Sequence, residues 1–322
     1  MIKELKNKKC VITFHTNSDI DAVSSAYALQ NVLGKNVKIA HFGRIDYDAK
    51  MLIKIYNKEI KNWEEITDFD YLIVLDGQNT SMFPHMENKI ADLLIDHHNS
   101  ANVKIKSKKQ IIKPDAISTT EILYELFKKE NIHINSETAE LLLCGIISDS
   151  LRYKEVSKNT FAFSNELRKK IKKTYEQLIE ISLPRLPKEE CIGFFQSAKT
   201  FKYEIVNEMI IAIAIGPSYT GEISTVLSET VADVVFVISP KEHNSILKLS
   251  GRTWVGCGVD LTKVLEKLGK KFNGIGGGHP YAAGMDFKIT PKEINTKQEE
   301  ILNECILLSK EEIINKGIIK KK

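Results

Sequence analysis

The sequence predicts an α/β protein in which a mainly parallel sheet domain is followed by a smaller α/β domain. Three observations carry this. At 322 residues the chain exceeds what one hydrophobic core usually organises. Through the first half, short apolar runs alternate with segments of 3.6-residue period, the pattern of strands covered on both faces by helices. From Lys154 to about Gln196 this gives way to charged, Lys/Glu-rich helical sequence, after which apolar runs resume.

The elements follow in order. Cys10–Phe14 reads as a strand, and Asp21–Leu33 as a helix ended by Gly34. Asn36–Phe42 and Tyr71–Leu75 are further strands, and Leu93–Ile95 starts from the same mould. Ser118-Thr-Thr-Glu121 is a capping-box pattern opening a helix through about Lys129. Asn135–Cys144 is another helix, and Ser182-Leu-Pro-Arg-Leu-Pro187 is a break. Met209–Ile215, Ala232–Ile238 and Ser245–Leu249 are the later strands, followed by the helix Leu261–Leu268. The expected division is a first domain over 1–155, a helical connection over 156–196, a second domain over 197–309 and a tail over 310–322.

Composition excludes several classes. Lys+Arg exceed Asp+Glu by only 4 (46 against 42), far from the footprint of a dedicated duplex binder. The five cysteines are scattered without CxxC spacing, which argues against zinc knuckles and a disulfide framework and for a reducing cytosol. No apolar run approaches the ~18–20 residues that span a bilayer, and the first residues carry no signal-peptide core. A cytoplasmic protein with no membrane partner is expected; the sequence leaves room for a homodimer.

Four polar clusters stand at the ends of apolar runs: His15-Thr-Asn-Ser-Asp19-Ile-Asp21, Asp76-Gly-Gln-Asn, Asp96-His97-His98, and Ser148-Asp149-Ser150 after Gly145-Ile-Ile. In open α/β sheets ligands bind outside the carboxyl ends of the strands, so such clusters converge on one crevice. Converging carboxylates repel unless cations sit among them. Aspartate and histidine donors suit hard or borderline divalent ions, Mn²⁺ above all, rather than a thiolate zinc site. One aspartate after a strand is commonly a helix cap. Four clusters in this order point to a metal centre.

In that order the clusters resemble the DHH phosphoesterase superfamily: HxxxDxD (His15, Asp19, Asp21), Asp76 after a strand, Asp96-His97-His98, then Gly145-Ile-Ile-Ser-Asp149. The resemblance implies two Mn²⁺ ions, with Mg²⁺ or Co²⁺ as substitutes. One would be held by His15, Asp19 and Asp76, the other by Asp21, Asp76, His97 and Asp149, with Asp76 shared. The pair would lower the pKa of an attacking water. Asp96 would orient an imidazole from behind, and His98 would contact phosphate or assist the leaving oxygen. Ser18 and Ser24 stand where family openings commonly carry Pro and Gly.

The second half contains Gly274-Ile-Gly276-Gly277-Gly278-His279-Pro280-Tyr281-Ala282-Ala283-Gly284. Consecutive glycines open backbone N–H groups to an anion, while the Rossmann and Walker contexts are missing. This segment is similar to the GGGH signature of the domain that accompanies many DHH phosphodiesterases, and Ser250-Gly-Arg252-Thr253 to its arginine-bearing strand end. The resemblance implies that Arg252, His279 and the N–H groups of Gly277 and Gly278 hold a substrate phosphate in a cleft between the domains. It further implies a phosphodiesterase releasing 5′-mononucleotides from short oligonucleotides or dinucleotides. A pAp phosphatase, a RecJ-like single-strand exonuclease and a nucleotide sensor without turnover are the alternatives.

Overall fold

The computed structural model describes residues 1–98, 105–184, 187–241, 245–254 and 256–318. Arg185 and Leu186 of the expected break, and Lys320–Lys322 of the expected tail, lie outside the described residues. The chain divides into two compact units, Met1–Arg185 and Leu186–Lys322.

The first unit is built on a sheet of β1 (Cys10–Phe14), β2 (Val37–His41), β3 (Lys61–Asn62), β4 (Tyr71–Leu75), β5 (Leu93–Asp96) and β6 (Gln110–Ile112). All neighbours pair in parallel, in the order β3-β2-β1-β4-β5-β6. The two-sided burial that the apolar runs imply is present: every residue of β1 is buried. Ile12, Phe14 and Ile73 face one hydrophobic cluster, and Val11, Leu72 and Val74 face another. Helices α1 (Ile20–Leu33), α2 (Tyr47–Ile55), α3 (Thr119–Lys129), α4 (Ser136–Asp149), α5 (Thr160–Arg168) and α6 (Tyr175–Ser182) complete the unit. Ser118 caps α3 by accepting from the Glu121 amide, and Asn135 caps α4 by accepting from Thr138.

Two local readings differ. α4 continues through Gly145-Ile-Ile to Asp149, so the fourth polar cluster ends a helix and not a strand. Strands β3 and β6 are only two and three residues long, too short to show a period in the sequence. The stretch 156–196 is shared: α5 and α6 pack within the first unit, while α7 (Lys188–Ala198) belongs to the second.

The second unit carries β7 (Lys202–Val206), β8 (Met209–Ile215), β9 (Val234–Lys241), β10 (Ile246–Thr253), β11 (Ile275–His279) and β12 (Ala282–Lys288). Their order is β11-β12-β10-β9-β8-β7, with β8 and β9 parallel and the other pairs antiparallel. Helix α8 (Thr220–Thr230) covers one face, with Ile223 and Leu227 packed on Val235 and Val237. α9 (Leu261–Phe272) and α10 (Ile294–Asn315) cover the other, around Phe236, Leu249 and Phe287. The glycine motif is therefore an edge strand, and β10 extends to Thr253, which puts Arg252 inside it.

Ile12 lies at the middle of β1 with no exposed surface. Ile12→Ala is expected to cost about 2–4 kcal/mol, read as a lower urea midpoint at unchanged m-value. A loss below about 1 kcal/mol would show that this strand is not the packed centre of its unit.

Candidate metal centre

The strand order of the first unit reverses between β1 and β4, and the switch point of such a sheet is where ligands collect. His15 directly follows β1, Asp76 directly follows β4, and Asp96 closes β5 with His97 and His98 next in the chain. α1 starts beside them: Asp19 is its N-cap, accepting from the Ala22 amide at 3.1 Å, and Asp21 sits in its first turn. Asp149 arrives from the far end of α4.

The backbone at Asp76 is left-handed, φ +59°, a conformation aspartate tolerates better than most residues. Its N–H still donates to the Ile95 carbonyl at 2.9 Å, so the ladder between β4 and β5 runs one residue further and fixes the carboxylate. A Cβ on Gly77 would lie 2.8 Å from the Phe83 ring, so the residue after Asp76 has no room for a side chain. Ser18 stiffens the opening loop by donating its hydroxyl to the His15 carbonyl at 2.5 Å.

The side chains meet at short range. His15 Nε2 is 3.5 Å from Asp76 Oδ2, and His97 Nε2 is 3.5 Å from Asp76 Oδ1 and 3.4 Å from Asp149 Oδ2. Donor atoms of His15, Asp19 and Asp76 lie within 4.8 Å of one another, as do those of Asp21, His97 and Asp149, and those of Asp76, His97 and His98. His15 Nδ1 faces the Thr16 carbonyl at 2.7 Å, which leaves Nε2 as the atom turned toward Asp76. Asp96 is fully buried and meets His98 twice, through the backbone N–H at 3.2 Å and Nδ1 at 2.7 Å. The Gln78 amide donates to the His98 carbonyl at 2.9 Å.

Burial and crowding set the electrostatics of this cluster. Burial, then the Asp76 and Asp19 charges, push the Asp21 carboxyl well above the ordinary range. Burial, then Asp21, Asp19 and Asp76, do the same to Asp149. Asp19 is raised by burial and by Asp76. Asp76 is held low: burial works against it, but the His15 hydrogen bond and the charges of His97, His15 and His98 prevail. Burial would lower His15, yet hydrogen bonding and charge from Asp76 take it up to about 9. His98 rises to about 9 chiefly through its hydrogen bond to Asp96, while burial keeps His97 below its usual value. At Asp19, Asp21 and Asp149 burial and crowded negative charge favour the protonated form, and a nearby positive charge would offset that crowding. Oxygen and imidazole donors without a thiolate suit a hard or borderline divalent cation in that role.

Sequence reasoning missed one part of the centre. Thr119 and Thr120, read only as part of a helix cap, are buried and turn toward the carboxylates. The Thr119 amide donates to Asp21 Oδ2 at 2.6 Å and its hydroxyl to Asp76 Oδ1 at 2.9 Å. The Thr120 amide and hydroxyl donate to Asp21 Oδ1 at 3.1 and 2.7 Å. The signal was available: a cap signature with a second hydroxyl residue has more donors than its own helix needs.

In the second unit, Arg252 pairs with Ala282, which pairs with His279, so the guanidinium and imidazole flank one alanine on a single sheet face. One step along, Ser250, Gly284 and Gly277 form the next row on that face. The start of α8 lies there too: Thr220 and Ser250 hydroxyls are 2.8 Å apart, and a Cβ on Gly221 would sit 3.7 Å from Arg252 Nη2. Burial draws the Arg252 guanidinium below its usual value. A Cβ on Gly276 would meet the Gly284 carbonyl at 2.1 Å, and one on Gly278 the Ala282 carbonyl at 2.4 Å, whereas one on Gly277 would meet no described atom within 4 Å.

A parallel-sheet unit with a carboxylate–imidazole centre, joined to an antiparallel-edged unit with a basic, glycine-floored face, defines a class of phosphoester-cleaving hydrolases. Two sequence profiles match: the DHH family, N-terminal domain, over residues 9–146, and the DHHA1 domain over 208–306. The chain belongs to the DHH phosphoesterase superfamily, in its two-domain form. An uncharacterized protein of Methanocaldococcus jannaschii is 26% identical over 318 residues, 96% of this chain and 95% of that one. The manganese-dependent inorganic pyrophosphatase of Bacillus subtilis is 28% identical over 153 residues, 46% of this chain; this chain spans 50% of that protein's length. The crystal structure of an exopolyphosphatase-related protein from Bacteroides fragilis covers 95% of each chain with a TM-score of 0.72 at 18% identity, a likeness of fold. Among the described residues no helix is long and apolar enough to cross a membrane.

Because burial and neighbouring carboxylates raise Asp21 and Asp149, protons compete with a cation for these oxygens as the pH falls. Mn²⁺ is therefore expected to raise the melting temperature at pH 8 by several degrees, less at pH 5.5, and a chelator to remove the shift. No shift at either pH would overturn the divalent centre, and equal shifts at both would overturn the competition between protons and the cation.

Proposed function

We propose that the protein is a divalent-metal-dependent phosphodiesterase that cleaves short oligonucleotides or dinucleotides to 5′-mononucleotides. In this reading His15, Asp19 and Asp76 hold one Mn²⁺ and Asp21, Asp76, His97 and Asp149 the other. When bound, such ions polarise a phosphoryl oxygen and favour deprotonation of the attacking water. The chain's own groups do the rest. His98, kept protonated by Asp96 at its Nδ1, presents its other N–H for the leaving 3′ oxygen as the bond from phosphorus to that oxygen breaks. Thr119 and Thr120 hold the carboxylates still.

The observation that carries the nucleotide reading is the register placing Arg252 and His279 on either side of Ala282. A guanidinium, an imidazole and the start of α8 over a floor of Gly277, Ala282 and Gly284 suit a single phosphate held bidentately. Tyr281 and Trp254 next to it are 51% and 43% exposed, and every base offers a face to such rings. The pyrophosphatase likeness covers 46% of this chain, while the DHHA1 match includes Arg252 and His279.

The test is a product panel with Mn²⁺: 5′-labelled RNA and DNA dinucleotides, pAp, a cyclic dinucleotide and pyrophosphate. Dinucleotide cleavage to 5′-mononucleotides is expected, with Asp76→Ala lowering kcat by at least ~10³-fold. Arg252→Ala is expected to raise KM by ~10-fold or more with a smaller change in kcat. Orthophosphate release from pyrophosphate, with dinucleotides untouched, would replace this assignment.

A further inference from the structure

We propose that Thr119 and Thr120, with the gap left by Gly145, are positioning residues that decide which single oxygen of Asp21 can reach a cation. The inference rests on the two-cation reading of the centre and goes one step inside it. A carboxylate oxygen has two lone pairs to offer. Asp21 Oδ1 uses both, accepting from the Thr120 amide at 3.1 Å and the Thr120 hydroxyl at 2.7 Å. Oδ2 uses one, on the Thr119 amide at 2.6 Å. One lone pair, on Oδ2, remains, so Asp21 is restricted to one-oxygen ligation, and the start of α3 chooses the oxygen.

Thr119 extends the control to the shared carboxylate. Its amide holds Asp21 while its hydroxyl donates to Asp76 Oδ1 at 2.9 Å, so one residue sets the spacing between two carboxylates from different elements. Gly145 makes this possible. A Cβ there would stand 2.4 Å from Thr120 Oγ1 and 2.5 Å from Asp21 Oδ1, closer than real side chains approach. A glycine inside a helix costs roughly 1 kcal/mol relative to alanine. That cost is explained by the clearance it gives to a carboxylate and its two donors.

Metal binding to the full-length protein, followed by calorimetry and by Mn²⁺ electron paramagnetic resonance, tests this. Wild type is expected to bind two Mn²⁺ and give the spectrum of a spin-coupled pair. Thr120→Val should weaken one of the two sites by ~10–100-fold, the range seen when a ligand's support is removed, and abolish the coupled spectrum. Thr120→Ser, which keeps the hydroxyl, should restore both. Gly145→Ala should act like Thr120→Val and supplies the answer if the valine variant does not fold. Unchanged affinities and coupling in a folded Thr120→Val or Gly145→Ala variant overturn the positioning role while leaving the two-cation reading intact. Wild type binding fewer than two ions overturns both.

Discussion

Charge crowding at the switch point governs the first unit. Asp19, Asp21, Asp76 and Asp149 come from three elements, and their charges lie close enough to raise the proton affinity of Asp19, Asp21 and Asp149, while the histidines hold Asp76 low. Two unit charges 4 Å apart repel by ~4 kcal/mol at an effective dielectric constant of 20. Such an arrangement survives folding only if the surrounding structure imposes it. The imposition is visible in the backbone: the left-handed turn at Asp76, the ladder bond to Ile95, and the helix starts that point amides at Asp19 and Asp21. Sites of this kind store local strain because a bound ligand is what they are shaped for.

The imidazoles divide by environment. His15 and His97 are largely buried and turn Nε2 inward, whereas His98 is about half exposed and takes its character from Asp96 behind it. Two adjacent histidines thus sit in different environments: His98 shares its Nδ1 with a buried carboxylate, and His97 has its Nε2 beside Asp76 and Asp149. The fully buried Asp96 has its Oδ2 without a hydrogen-bond partner among the described residues, so its side-chain hydrogen bonding is spent on His98, while its charge also reaches His97.

The sequence allowed the grouping of the six donor side chains to be read because each cluster sits at an abrupt end of an apolar run, and a parallel sheet brings such ends together. The limits have physical causes. Gly145-Ile-Ile is too short a window to distinguish strand from buried helix, and only the structure places Asp149 at the end of α4. Thr119 and Thr120 were hidden by the helix-cap function that Ser118 alone performs. Gly276–Gly278 have little strand propensity, and only the pairing with β12 makes them a strand. The resemblance to a known family supplied the assignment of ligands to particular ions, which spacing alone does not contain.

The glycines separate protein needs from ligand needs. At Gly145, Gly276 and Gly278 the chain itself occupies the space a side chain would take, so packing explains the residue. Gly277 is different: no described atom competes for its Cβ position, its φ is not left-handed, and a strand favours almost any other residue there. Folding of the second unit therefore gives no reason for glycine at 277. It shares a row with Gly284 and Ser250 and a face with Arg252 and His279, so what the missing side chain leaves open is close backbone approach from outside, beside a guanidinium and an imidazole. A glycine unexplained by its own fold, placed on that face, argues for a ligand that presses against the strand.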